Sequence, residues 1–203
     1  MLDIADLSCA RGDRTLFRGL SFQLGAGELM HIQGANGSGK TTLLRTLTGL
    51  SHAAHGRILW DGRPIGELAE AYRAELCYVG HANGMHGDLS AVENLRFQAG
   101  LSGAPDSDPA AILAELGLKR VIHLPAKLLS QGQKRRLALA RLFVAPRRLW
   151  ILDEPFTALD IRTSGFMAER VALHLAGGGM VILTSHQEVT VATPKIMTLQ
   201  LDA

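Results

Sequence analysis

The sequence has few cysteines, few aromatic residues and little excess charge of either sign. Its two cysteines, Cys9 and Cys77, lie far apart and predict neither a disulfide framework nor a zinc site. The 21 basic residues nearly balance the 19 acidic ones, so the net charge of +2 gives no electrostatic argument for binding nucleic acid. The longest basic run, Lys134-Arg135-Arg136, is short, and we expect it to be a solvated face of a helix.

The sequence also has no long apolar run and no recognisable targeting segment. No stretch approaches the roughly 20 apolar residues that a helix needs to cross a bilayer. The start of the chain carries Asp3 and Asp6 where a signal peptide would be basic and then apolar. We therefore expect a protein made and kept in a reducing cytoplasm, which contacts a membrane only through other chains. The 203 residues, 47% of them hydrophobic, predict one globular domain spanning 1–203.

The pattern along the chain predicts an α/β fold. Four short apolar runs are typical of parallel strands covered on both faces: 29–33, 76–80, 149–153 and 180–184. Helical stretches lie between them, notably after Gly39 and over 131–143. Alternating segments at 20–24, at 57–60 before a turn at Asp61-Gly62, and at 198–202 predict a small antiparallel sheet packed on the parallel core. The segment of about 84–128 is predicted to be a helical insert, broken by a polar loop at 103–109.

A glycine-rich loop follows the first apolar run and predicts a nucleotide site. The residues are Gly34, Ala35, Asn36, Gly37, Ser38, Gly39, Lys40, Thr41 and Thr42, and the first eight match G-x-x-x-x-G-K-[ST]. Glycines let the loop wrap with its amide N–H groups pointing inward, and the positive end of the following helix adds to them. Lys40 would meet the β- and γ-phosphates, and the Thr41 hydroxyl would be a ligand of Mg²⁺.

Two acids at the end of a buried strand predict the second half of this site. Asp153 and Glu154 follow the apolar residues 149–152, and a carboxylate at the tip of a buried strand is costly unless a cation meets it. Asp153 fits the role of holding Mg²⁺, directly or through water. Glu154, one residue further, would lie near the γ-phosphate and polarise the attacking water as a general base.

A third motif resembles one family. Leu129-Ser130-Gln131-Gly132-Gln133 resembles the L-S-G-G-Q signature of ATP-binding-cassette proteins, with Gln131 in place of the first glycine. The resemblance implies a P-loop NTPase fold with a parallel core sheet, an N-terminal antiparallel β-subdomain and a small helical subdomain. It also implies that Ser130, Gly132 and Gln133 face the γ-phosphate held by a second copy, as an anion site at a helix N-terminus. Segment 157–160 resembles the loop that crosses the dimer interface, and His186 resembles the histidine that contacts the γ-phosphate.

Besides Gln131, two further positions depart from the family's pattern. His81 stands where the family carries a glutamine that touches Mg²⁺ and the membrane partner, with Asn83 nearby. If His81 titrates, coupling becomes sensitive to pH. Arg11 occupies the place of the aromatic residue that stacks on adenine. Because a guanidinium plane also stacks, we expect base binding to persist with weak discrimination between ATP and GTP.

The short chain, Gly80-His81, the stretch 88–95 and the altered signature together resemble one subfamily, the ATP-binding subunits of the haem exporter of cytochrome c biogenesis. The resemblance implies an ATP- and Mg²⁺-dependent motor at the cytoplasmic face of the bacterial inner membrane. Its partners would be a second copy of itself, a permease of the CcmB kind and a CcmC-like haem-handling protein. No residue of the chain suggests a haem ligand.

Two other functions fit parts of the sequence. A soluble cassette ATPase acting on ribosomes or DNA would share the motifs, but such proteins usually carry two cassettes or a long coiled insert. A small-molecule kinase or GTPase would share the phosphate loop, but the signature motif and the terminal β pattern argue against it. Co-purification with a membrane protein would favour the transporter motor, whereas co-purification with ribosomes would favour the soluble cassette ATPase.

Overall fold

The computed structural model describes residues 1–12, 14–185, 191–193 and 195–201. Nine strands and seven α-helices follow one another along these residues. The strands are β1 Leu2–Arg11, β2 Arg14–Leu24, β3 Leu29–Gly34, β4 His55–Trp60, β5 Arg63–Pro64, β6 Leu76–Val79, β7 Leu149–Asp153, β8 Met180–Thr184 and β9 Ile196–Leu201. The helices are α1 Lys40–Leu47, α2 Ile65–Leu68, α3 Glu70–Glu75, α4 Ala91–Leu101, α5 Pro109–Glu115, α6 Gln131–Ala140 and α7 Ile161–Ala176, with 3₁₀ turns at Lys119–Val121, Ala126–Leu128 and Arg141–Phe143.

The strands form two sheets. A five-stranded parallel sheet has the order β6-β7-β8-β3-β9, and a four-stranded antiparallel sheet has the order β2-β1-β4-β5. The four predicted parallel strands are confirmed, with bounds that differ by at most one residue. The predicted hairpin at Asp61-Gly62 is also confirmed, because β4 and β5 pair antiparallel with Trp60 opposite Arg63.

The prediction for the C-terminal strand is wrong in one respect. Segment 198–202 was expected in the antiparallel sheet, whereas β9 pairs parallel with β3 at the edge of the five-stranded sheet. Its alternating burial is real. Alternation marks a strand with one solvated face, and an edge strand of a parallel sheet meets that condition as well.

The parallel sheet is covered on both faces. Side chains such as Ile151 point into a cluster shared with β1 and α1, and the next residue, Leu152, points into a second cluster shared with α4, α6 and α7. This explains why the strands are continuously apolar: each face meets its own core. None of the helices described is long and apolar enough to span a membrane.

Short polar side chains fix where the helices begin. Ser90 caps α4 in a capping box with Glu93, and Asp108 caps α5, which has Pro109 in its first turn. The carboxylate of Asp160 accepts a hydrogen bond from the Thr163 N–H at 2.7 Å and starts α7. The described part of the predicted helical insert therefore holds α4, α5 and two 3₁₀ turns, and the polar loop lies between α4 and α5 as expected.

Candidate nucleotide site

The glycine-rich loop connects β3 to α1 at the carboxyl edge of the parallel sheet, where ligands of open α/β sheets bind. Gly34 has φ 151°, and a Cβ there would lie 2.5 Å from the Leu201 carbonyl oxygen and 2.6 Å from Ser38 Oγ. Only glycine fits that approach. Gly39 precedes α1 with φ 101° and offers no side-chain acceptor, so the N–H groups of the first turn are available to an anion.

Lys40 lies inside the loop and not in solvent. Its side chain is buried, and Nζ donates to the carbonyl oxygens of Gly34 at 2.6 Å and Ala35 at 3.1 Å. An ammonium group has three donors, so these two bonds fix its position and leave one for a ligand. The loop therefore holds a positive charge at a defined place.

Asp153 ends β7 next to two hydroxyl groups. Thr41 Oγ1 donates to Asp153 Oδ2 at 2.8 Å, and Thr184 Oγ1 donates to Oδ1 at 2.8 Å. The carboxylate is 2% exposed, and among the described residues no basic side chain forms an ion pair with it. A buried carboxylate beside hydroxyl oxygens is the donor set that a hard divalent cation prefers. The residues present therefore fit Mg²⁺.

Glu154 is held in an unusual backbone conformation. Its φ is 51°, a left-handed value that is strained for a residue with a long side chain. The Glu154 N–H donates to Thr184 Oγ1 at 2.9 Å, and Thr157 Oγ1 donates to Glu154 Oε2 at 3.1 Å. Thr184, which is fully buried, thus links both acids at the end of β7. Sequence reasoning missed Thr184, although it ends a predicted strand.

An open cleft of about 350 Å³ brings eight of the predicted residues together. Its lining consists of Leu16, Asn36, Gly37, Gly39, Lys40, Thr41, Thr42, His81 and Glu154. His81 follows β6 and Glu154 follows β7, and these two strands are neighbours in the sheet. The cleft therefore combines the phosphate loop with side chains from two adjacent strand ends.

Two predicted residues fall wholly or partly outside the described structure. The backbone of Arg11 pairs with Arg14 at the end of the β1–β2 hairpin, but its side chain is outside the described part, and so is His186. Leu16, which sequence reasoning missed, lines the cleft and packs against Gly39, where a Cβ would lie 3.1 Å from Leu16 Cβ. The alternating segment that the sequence predicts begins at Leu20, whereas β2 begins at Arg14, so neither the strand at Leu16 nor its neighbour across the fold was predicted.

The signature segment is built separately from this cleft. Ser130 caps α6 in a capping box: its Oγ accepts from the Gln133 N–H at 3.2 Å, and Gln133 Oε1 accepts from the Ser130 N–H at 2.9 Å. Ser130 is exposed, and a Cβ on Gly132 would lie 2.9 Å from the Ala158 carbonyl oxygen. Within the described chain, the cleft lining includes none of Ser130, Gly132 and Gln133.

The basic run after the signature is not the solvated helix face that the sequence predicts. Arg135 is only 6% exposed, and Lys134 and Arg136 are half-buried. The Arg135 guanidinium donates to the carbonyl oxygens of Gly80, Asp153 and Glu154. Composition could not show this, because a charged run on a helix is usually solvated and these acceptors come from distant strands.

Comparison with known proteins agrees with the geometry. The sequence model of the ABC transporter family matches residues 17–157, and the chain belongs to this family of ATP-binding-cassette ATPases. Within it, the chain is 48% identical over 197 residues to the cytochrome c biogenesis ATP-binding export protein CcmA of Aromatoleum aromaticum, covering 96% of this chain and 92% of the relative. It is 47% identical to the CcmA protein of Escherichia coli strain K12, covering 99% and 96% of the two chains.

Solved structures share the fold over nearly the whole chain. An ATP-binding subunit of an ABC transporter superposes with a TM-score of 0.87 at 25% identity, covering 100% of this chain and 88% of the other. A bacterial Atm1-family exporter with ATP bound gives 0.84 at 25% identity, covering 98% of this chain and 37% of the exporter. A dimeric bacterial ABC transporter cassette gives 0.82 at 22% identity, covering 98% and 94%, which shows the fold.

Proposed function

We propose that this chain hydrolyses ATP with Mg²⁺ in the cleft at the carboxyl edge of its parallel sheet, as one of two identical motor subunits of an export complex. The observation that carries the proposal is the convergence of Lys40, the Thr41–Asp153 pair and Glu154 on one site. These groups come from the phosphate loop and the adjacent end of β7, and together they supply positive charge, cation ligands and a base.

The phosphate loop binds the triphosphate. Lys40 Nζ, fixed by two loop carbonyls, has one donor left for the β- and γ-phosphate oxygens, and the N–H groups at the start of α1 receive the remaining charge. Thr41 and Asp153 would hold Mg²⁺, which when bound neutralises charge on the β- and γ-phosphate oxygens. In that role the Thr41 hydroxyl, which donates to Asp153 in this structure, would offer its oxygen as a ligand.

Glu154 prepares the attacking water. Its carboxylate accepts a proton as the water oxygen bonds to the γ-phosphorus and the bond to the bridging oxygen of ADP breaks, which leaves ADP and phosphate. The strained backbone at Glu154 and the bond from Thr157 to its carboxylate restrict where that carboxylate can point. We assign His186 to contact with the γ-phosphate and Arg11 to the base on the family resemblance alone.

His81 takes the place of the family's glutamine. It is exposed and lines the same cleft as the phosphate loop, so it is available to a bound nucleotide or to a partner chain. We therefore expect His81 to take part in coupling hydrolysis to the membrane partner. Parent-like stimulation of the ATPase rate of His81→Gln by that partner would contradict this.

A complete site needs a second copy. The cleft lacks the signature residues in the described chain, and Ser130 is exposed at the start of α6. Two copies related by a two-fold axis would place the Ser130 hydroxyl and the first amides of α6 of each chain against the phosphates bound by the other. Binding of ATP then closes the pair, and hydrolysis opens it.

The biological setting follows from the relatives. Proteins 46–48% identical over almost the full chain are cytochrome c biogenesis ATP-binding export proteins. We therefore infer that this chain is the ATP-hydrolysing subunit of the haem export step of cytochrome c maturation, at the cytoplasmic face of a bacterial inner membrane. A permease of the CcmB kind and a CcmC-like haem-handling protein are the partners we propose, and this chain contacts the membrane only through them.

Co-purification under mild detergent tests this setting. A tagged chain should recover a polytopic membrane protein, and addition of that partner should change its ATPase rate. The Lys40→Ala variant serves as a matched control for nucleotide dependence. Recovery of ribosomes or DNA with no membrane protein would contradict the proposal and favour a soluble cassette ATPase.

A further inference from the structure

Arg135 lies where three elements of the site meet. It is in the second turn of α6, five residues after the Ser130 cap, and it is 6% exposed. Its Nη1 donates to the Gly80 carbonyl oxygen at 2.8 Å and reaches Asn83 Oδ1 at 3.4 Å, at the carboxyl end of β6. Its Nη2 donates to the carbonyl oxygens of Asp153 at 2.5 Å and Glu154 at 2.9 Å, at the end of β7.

These contacts connect the two loops that carry the reactive side chains. Gly80 and Asn83 flank His81, and the Asp153 and Glu154 carbonyls belong to the acids themselves. The two Nη atoms of one planar guanidinium point to different strand ends, so the spacing between the loops is set by a rigid group. A lysine ammonium is a point donor and would not span both ends in the same way.

The electrostatics indicate that the contacts matter more than the charge. Burial lowers the pKa of Arg135 from its usual value, whereas the nearby carboxylates of Asp153 and Glu154 raise it. The guanidinium does not lose its proton in a protein, so the chain bears the cost of burying a cation. Its guanidinium donates to three backbone carbonyl oxygens, those of Gly80, Asp153 and Glu154, and to the amide oxygen of Asn83.

Arg135 also holds the backbone of Glu154, the residue with the strained φ angle. Glu154 has φ 51°, and the peptide groups on its two sides are held by Thr184, which accepts from its N–H, and by Arg135, which donates to its carbonyl. Without the second bond the residue can relax toward negative φ, which would turn its carboxylate away from the cleft.

We propose that Arg135 is a positioning residue for ATP hydrolysis, which fixes the loops of His81 and Glu154 to the helix that presents the signature serine. The proposal rests on the function proposed above. The helix α6 begins at the signature residues, which would face the phosphate bound by the partner. When the two copies close and α6 moves, Arg135 transmits that movement to Glu154 in its own cleft.

Steady-state kinetics of the full chain test the proposal. Arg135→Gln should lower kcat by about 10- to 100-fold, because a small displacement of the base is costly, while KM for ATP stays within about two-fold. Arg135→Lys should recover little of the loss. Lys134→Gln removes a neighbouring charge whose side chain forms no hydrogen bond or ion pair among the described residues, and it should match the parent.

A double variant separates positioning from general loss of structure. In a Glu154→Gln background, adding Arg135→Gln should reduce the single-turnover rate no further and should leave ATP binding intact, because the two residues act as one unit. If Arg135→Gln does not fold, Arg135→Lys carries the same comparison. A parent-like kcat in Arg135→Gln, full rescue by lysine, or an equal loss of ATP affinity and turnover would overturn the proposal. Absence of hydrolysis in the parent would instead contradict the proposed function.

Discussion

The two halves of the proposed nucleotide site, the phosphate-loop half and the signature half, are constructed in different ways. The phosphate-loop half is anchored inside the chain: Lys40 is fixed by loop carbonyls, and Asp153 is fixed by Thr41 and Thr184. The signature half is shaped by the reciprocal bonds of Ser130 and Gln133 at the start of α6, and it presents Ser130 to solvent. The phosphate-loop half is therefore suited to hold a ligand within one chain, whereas the exposed, preformed signature half is suited to a ligand that another chain delivers.

Removal of the base Glu154 from the phosphate-loop half should have the largest effect on turnover. Glu154→Gln keeps the shape and the bond-accepting oxygen of the side chain but cannot take a proton, so kcat should fall by about 100- to 10,000-fold. ATP binding should persist, and ATP should trap a stable dimer that gel filtration detects. The control is Glu115→Gln, an exposed carboxylate paired with Arg170, which should match the parent. Turnover within a few-fold of the parent in Glu154→Gln would remove Glu154 from the mechanism.

A substitution in the signature half should abolish hydrolysis without affecting the binding of ATP to a single chain. Ser130→Arg places a long side chain where the partner's phosphate must approach, and turnover should fall by about 100-fold or more. Binding of ATP to the dilute monomer should be unchanged, because the cleft of that chain lacks Ser130. Ser130→Thr, which keeps the capping hydroxyl, should retain most activity. Parent-rate hydrolysis by monomeric Ser130→Arg would contradict the shared site.

Loss of the Lys40 charge from the phosphate-loop half should reduce the affinity for ATP. Lys40→Ala removes a charge-assisted hydrogen bond to phosphate, which contributes about 1.5–3 kcal/mol and corresponds to a loss of about 10- to 100-fold in affinity for ATP. Equilibrium titration with a fluorescent ATP analogue measures the change. Lys127→Ala, an exposed lysine paired with Asp88, is the matched control and should bind normally. Equal affinities in both variants would contradict the role of Lys40.

The smallest predicted effect is a pH dependence of the free energy of unfolding. It comes from His174, on the face of the parallel sheet away from the phosphate loop. His174 stacks on Trp150 with ring centroids 3.9 Å apart, and burial lowers the pKa of its imidazole. Because the unfolded chain gains a proton on this histidine before the folded chain does, stability should fall as pH drops below about 6.5. His31, whose pKa burial also lowers, adds a loss of the same sign.

Urea unfolding at pH 7.5 and pH 5.5 measures this loss. His174→Phe keeps the stack and removes the titration, so the difference in the free energy of unfolding between the two pH values should be smaller than in the parent. An unaltered difference in His174→Phe would show that this histidine does not titrate differently on folding.

Much of the phosphate-loop half could be predicted because its parts are local in sequence. Lys40 and Thr41 lie at a fixed spacing from Gly34, and Asp153 and Glu154 end an apolar strand whose length and composition define it. Thr184, Leu16 and Arg135 could not be assigned, because their partners lie far away along the chain. A threonine at a strand end, a leucine outside the predicted segments and an arginine in a basic run all have an ordinary interpretation until the fold sets their neighbours.

The sequence by itself determined the nucleotide class, the phosphate loop, the four central strands and the signature segment, since each depends on residues within one short window. Only the tertiary structure decided that β9 pairs parallel beside β3, that Arg135 is buried between two strand ends, and that the signature lies apart from the chain's own cleft. The physical reason is that strand pairing and the burial of a charge depend on interactions between segments far apart in the sequence. A local sequence pattern does not specify those interactions.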